Sequence, residues 1–157
     1  GAAQEPENVA APNDFSLTWA ELRQIRAEAA RRGFPEQQDF PCLVETGTFL
    51  GQTVIPLAGH FQEAHTIEIL PEAFEAARLA AWSAETPIKF YLGRSSQQLP
   101  LILPTLIHPT VFFLDAHYSG MVTGGAHDDV PLLEEIRAID ELFQPAAFVI
   151  ADDLELF

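Results

Sequence analysis

Hydrophobic positions along this chain fall into two alternating rhythms. Five short apolar stretches read as strands: Pro41–Val44, Ala64–Leu70, Pro87–Leu92, Thr110–Leu114 and Ala146–Ile150. Thr110–Leu114 is a continuous apolar run and the strongest buried strand of the set. Between these stretches the apolar residues recur at helical spacing. Leu17, Trp19, Leu22, Ile25 and Ala29 predict a first helix, with Ser16 as its cap and Gly33 as its stop. A second helix is predicted from Gln52 to about Phe61, and a third around Phe74–Ala81, opened by Pro71. The fourth runs through Leu99 to Leu106, and Pro100 and Pro104 make it short or kinked. The fifth spans Val130–Phe143, with Leu132, Leu133, Ile136, Ile139 and Leu142 assigned to one side. Strand and helix in strict alternation predict an α/β, doubly wound parallel sheet with helices on both faces. The expected spatial order is 3-2-1-4-5. Residues 1–13, rich in Ala, Glu and Pro, read as a mobile tail, and residues 14–157 as one domain.

Composition narrows the function classes. A formal net charge of -15, with eight scattered Lys and Arg, argues strongly against a phosphate-backbone partner, because no basic patch is visible to release counterions. A hydrophobic content of 48% over 157 residues suits one globular domain. No apolar run approaches the ~18 residues of a membrane span. The N-terminal residues lack a positive region followed by an apolar one, so a cytoplasmic location is the default expectation. Cys42 stands alone, so no intramolecular disulfide forms; in an apolar strand it reads as a small core residue.

Candidate chemistry gathers where strands end, which is where an open parallel sheet binds ligands. The first strand runs directly into Glu45, Thr46, Gly47, Thr48, Phe49, Leu50 and Gly51. Strand, glycine-containing turn and helix form the front of a βαβ unit. Glycines at 47 and 51 allow a tight turn and a close backbone approach, and N–H groups at the helix start favour a polar or anionic group. The spacing is neither a dinucleotide fingerprint nor a P-loop. Glu68 closes the second strand, where an acid can accept both hydroxyls of a ribose. Ser95 and Ser96 follow the third strand and suit helix capping as well as ligand contact. Asp115 and His117 follow the fourth, and Asp152 and Asp153 follow the fifth.

The ordered set Glu45-Thr-Gly-Thr-Phe-Leu-Gly51, Glu68, Leu92-Gly-Arg-Ser-Ser96 and Leu114-Asp-Ala-His117 resembles the class I S-adenosylmethionine-dependent methyltransferases, with their Rossmann-like fold. An acid after the fourth strand and Ala-Asp-Asp after the fifth resemble the magnesium-dependent O-methyltransferases of catechol and macrocin type. The resemblance implies a metal-assisted O-methyltransferase acting on a hydroxyl of a small molecule. It implies that Glu45, Thr46, Gly47, Thr48 and Gly51 hold the methionine part of S-adenosylmethionine, with Asp115 also near the cofactor. Glu68 would hold the ribose, and Ser95 and Ser96 would touch the adenine. Asp115, Asp152 and Asp153 would ligate Mg²⁺ or another divalent cation, all-oxygen ligation being suited to a hard ion. His117 is the candidate base, with Tyr118 the alternative where catechol-type enzymes carry a lysine. The sequence stops at Phe157, where the class continues into a helix and an antiparallel hairpin, so that hairpin is expected to be missing. Two alternatives stand beside this reading. One is a non-catalytic cofactor-binding or regulatory module of the same fold. The other is a metal-dependent hydrolase using the same three aspartates. Oligomeric state and the identity of the acceptor have no sequence signal.

Overall fold

The computed structural model describes residues 17–34, 39–82, 84, 87–114 and 131–151. Five parallel strands form one sheet: β1 (Cys42–Thr46), β2 (Glu63–Glu68), β3 (Ile88–Leu92), β4 (Thr110–Leu114) and β5 (Ala147–Ala151). Their spatial order is β3-β2-β1-β4-β5, as the alternation predicts. The helices between them are α1 (Trp19–Arg31), α2 (Val54–Ala58), α3 (Pro71–Ala80), α4 (Ser95–Ile102) and α5 (Pro131–Leu142). A 3₁₀ turn at Leu103–Thr105 extends α4, consistent with the two prolines there.

The sheet separates two apolar layers. On one side Leu17, Leu22, Val54, Leu57 and Phe61 pack against Leu43, Ala64, Val111, Phe113 and Phe148. On the other, Leu99, Ile102, Leu103, Ala138, Ile139 and Phe143 cover Cys42, Val44, Ile67, Phe112 and Leu114. Every residue of β1 and β4 is buried, as strands covered on both faces require. β3 lies at one edge and is half-exposed.

Three local expectations are corrected. Helix α1 is capped by Thr18, whose hydroxyl accepts from the Glu21 amide at 3.1 Å; the expected cap, Ser16, lies outside the described residues. The stop at Gly33 holds, with φ 100°. Helix α2 spans only Val54–Ala58, half the predicted length, because residues 49–53 are turn and Gly59 follows as C-cap. Helix α5 is rotated relative to the predicted stripe. Its inward residues are Glu135, Ala138 and Ile139, whereas Leu133 is 62% exposed and Ile136 and Leu142 are also exposed.

Candidate functional site

β1 pairs with β2 on one side and β4 on the other, so the chain changes winding direction at β1. In open α/β sheets such a switch point is where a ligand crevice forms, outside the carboxyl ends of the strands. The residues leaving β1 form a compact left-handed turn, with φ 83° at Gly47, 49° at Phe49 and 81° at Gly51. At Gly51 the φ of 81° favours glycine, and a Cβ there would lie 2.6 Å from Ile55 Cδ1, so the Ile55 side chain would have to shift.

The turn's amides are more committed than the glycine spacing suggests. Gly47 N–H and Thr48 N–H both donate to the Ile67 carbonyl, at 2.8 and 3.1 Å. Phe49 N–H donates to Glu68 Oε1 at 2.7 Å, and Leu70 N–H donates to Glu68 Oε2 at 2.8 Å. Gly51 N–H donates back to Thr48 at 2.9 Å. The Gly47, Thr48 and Phe49 amides therefore brace the turn against the end of β2. Glu68 is only 5% exposed and locks the left-handed Phe49 in place. Each of its oxygens retains a second acceptor direction, so its chemistry fits a ribose hydroxyl as well as the backbone.

Two buried polar networks flank the end of β1, one on each face of the sheet. On the first face Glu45 accepts from the Thr66 hydroxyl at 2.8 Å, and Thr66 pairs in turn with the Thr48 hydroxyl. On the second face Glu135 of α5 accepts from Ser95 Oγ at 2.6 Å and from Thr46 Oγ1 at 3.3 Å. Glu135 is fully buried. Burial pushes its carboxyl up to about 7, against a smaller opposing pull from the Ser95 and Thr46 hydrogen bonds. Ser95 is the first residue of α4, and Arg94 is the N-cap; the Ser95 hydroxyl is directed to Glu135 instead of capping the helix. Ser96 is half-buried beside it.

The structure thus brings Glu45, Thr46, Gly47, Thr48, Gly51, Glu68 and Ser95 together at one end of the sheet. Asp115, His117, Tyr118, Asp152 and Asp153 lie outside the described residues. The residues just before the two acidic positions, Leu114 and Ala151, are direct partners across β4 and β5. Sequence reading missed Glu135 and Thr66. Glu135 was detectable, since it stands three residues after Leu132 and four before Ile139, inside the inward stripe. Thr66 carried no signal beyond lying two residues before Glu68 on the same strand face.

No protein-family model matches the chain, and no curated protein matches its sequence. Comparison with solved structures finds the glycopeptide N-methyltransferase MtfA complexed with S-adenosyl-L-methionine, at a TM-score of 0.45 and 16% identity. That alignment covers 91% of this chain and 58% of the other, so this chain spans less than two thirds of that protein's length. Among the described residues no helix is long and apolar enough to cross a membrane.

Proposed function

We propose that this chain binds S-adenosylmethionine over the carboxyl ends of β1, β2 and β3 and directs its methyl group to a hydroxyl of a small molecule. The observation that carries this reading is the braced Gly47–Gly51 turn at the switch point, with Glu68 fixed at the end of the adjacent strand. Gly47, Thr48 and Gly51 shape the wall for the methionine end; Gly47 brings the backbone close to the ligand, while Gly51 holds the turn against Ile55 and Ala77. Glu68 receives the ribose hydroxyls through the acceptor directions left by Phe49 and Leu70. Ser95 and Ser96 border the adenine. Glu45 and Thr46 act from beneath, since both are buried and bonded to Thr66 and Glu135 respectively.

The finer reading is O-methylation assisted by a divalent cation. Asp115, Asp152 and Asp153 offer only carboxylate oxygens, a donor set that suits Mg²⁺. The pairing of Leu114 with Ala151 supports placing the two acidic segments on neighbouring strand ends. When bound, the cofactor supplies an activated methyl on a sulfonium, and the cation supplies Lewis acidity toward the acceptor oxygen. His117, or Tyr118 in its place, takes the acceptor's proton.

Calorimetry with S-adenosylmethionine, followed by methyl transfer to hydroxylated acceptors with and without EDTA, tests this. Saturable binding and transfer that fails in EDTA are expected, with Asp152→Asn losing Mg²⁺ affinity and transfer together. Binding without transfer to any acceptor would make the domain a cofactor-binding module. Mg²⁺ binding that Asp152→Asn abolishes, without S-adenosylmethionine binding, would favour the hydrolase reading. Full transfer in EDTA would remove the metal from the mechanism.

A further inference from the structure

A second polar cluster lies at the opposite end of the sheet from the crevice. Cys42 is the first residue of β1 and Glu63 the first of β2, and the parallel register makes them direct partners. His65 follows two residues on, so all three side chains share one sheet face. The Cys42 Sγ, a Glu63 carboxylate oxygen and a His65 ring nitrogen all lie within 4.8 Å of one another. His65 Nε2 is 3.3 Å from Glu63 Oε2. Its other ring nitrogen, Nδ1, is 2.9 Å from the Tyr91 hydroxyl on β3. Cys42 and His65 are buried, while Glu63 is half-exposed and opens the cluster to solvent.

This arrangement has the parts of a metal site. A ligating histidine presents one nitrogen to the ion and anchors the other on a hydrogen-bonding partner, which orients the ring. Tyr91 occupies that anchoring position. A thiol, an imidazole and a carboxylate together form a mixed S/N/O donor set, which matches a borderline-soft ion rather than Mg²⁺. From the geometry of these side chains we infer that Cys42, Glu63 and His65 bind a zinc-type divalent cation. Tyr91 acts as the partner that orients His65.

Tetrahedral zinc places sulfur and nitrogen ligands roughly 3.5 Å apart, given metal–ligand lengths of about 2.0–2.3 Å. Side-chain rotation of about an ångström therefore closes the set. In the metal-free chain one consistent tautomer has His65 Nε2–H donating to Glu63, with the Tyr91 hydroxyl donating to Nδ1. On binding, the thiol proton of Cys42 leaves to solvent. The His65 proton moves from Nε2 to Nδ1, which then donates to Tyr91, and Nε2 and Glu63 face the ion. One proton is released per cation bound. The ion would join β1 to β2 at their amino ends, with a fourth position open to water beside Glu63.

Titration of the metal-free protein with Co²⁺ tests this, because a cobalt–thiolate charge-transfer absorption reports cysteine ligation and Cys42 is the only cysteine in the chain. One equivalent of Co²⁺ producing that absorption, displaced by Zn²⁺, is expected. Cys42→Ser should abolish the band, and Tyr91→Phe should weaken the affinity by ~10–100-fold. Glu63→Gln, at a half-exposed position, should weaken Co²⁺ binding while leaving the metal-free melting temperature near wild type; it keeps the test valid if Cys42→Ser does not fold. No thiolate band at saturating Co²⁺ overturns the inference. So does a band whose affinity is unchanged in both Glu63→Gln and Tyr91→Phe, which would indicate a lone cysteine. Neither result bears on S-adenosylmethionine binding at the other end of the sheet.

Discussion

Replacing Glu135 with glutamine should change how stability depends on pH. The carboxyl is fully buried between α5, β1 and α4, and its pKa is raised from 4.5 to about 7. Below pH 4.5 the folded and unfolded chains both hold its proton, and burial imposes no ionic penalty. Between 4.5 and 7 the folded protein keeps the proton that the unfolded chain has lost, so stability falls as pH rises. Above 7 the penalty is complete and constant. At about 1.4 kcal/mol per unit over roughly 2.5 units, the loss is about 3 kcal/mol. Glutamine stays neutral throughout. Its oxygen accepts from one of the Ser95 and Thr46 hydroxyls, and its amide donates to the other once that hydroxyl turns, so the mutational loss at low pH is about 1 kcal/mol. Urea unfolding of both proteins from pH 4.5 to 8 measures the difference directly. The net charge of -15 makes both proteins less stable as pH rises, and that contribution cancels between them. Glu135→Gln should start slightly less stable than wild type and end more stable. Parallel stability curves across this window would refute the assignment of a neutral, buried Glu135.

Two further outcomes follow from the turn. Gly51→Ala should lower stability by about 1–2 kcal/mol, because alanine is strained at φ 81° and its Cβ meets Ile55; an unchanged melting temperature would show that the turn relaxes freely. Glu68→Ala removes the acceptor for the Phe49 and Leu70 amides, so thermal stability and S-adenosylmethionine affinity should fall together, by roughly 1.5–3 kcal/mol for each charge-assisted bond. Lost affinity with wild-type stability would assign Glu68 to the ligand alone.

How far the sequence revealed the structure depends on whether a signal was local. β4 was legible to the residue, because Thr110–Leu114 is a near-continuous apolar run bounded by Pro109 and Asp115. β1 runs two residues further than its apolar run, through Glu45 and Thr46. A central parallel strand can bury such residues because partners from both faces satisfy them, and those partners, Thr66 and Glu135, are remote in sequence. For α5 the expected stripe holds at Leu132 and Ile139 and fails at Leu133, Ile136 and Leu142, because a hydrophobic stripe assigns acids to solvent, whereas Glu135 is held inside by two hydroxyls. The cluster of Cys42, Glu63 and His65 could not be read from spacing alone. Only the β1–β2 register places the cysteine beside the other two. The order of strand ends, by contrast, follows from alternation and right-handed crossovers, which is why Gly47, Glu68 and Ser95 could be placed at one end of the sheet without knowledge of their bonding partners.

The strand order also bears on how the chain assembles. β1 meets β2 after one short connection, but meets β4 only after a loop about three times as long. Closing that longer loop requires about 1 kcal/mol more in chain entropy, and the long-range pairing slows folding. The β1–β2–β3 half, with the braced turn already docked on β2, is therefore the natural early unit. β4 and β5 join it along the β1–β4 boundary. The switch point lies on that boundary, so its β1–β2 wall, over which the proposed cofactor would lie, is expected to form before β4 and β5 close against it.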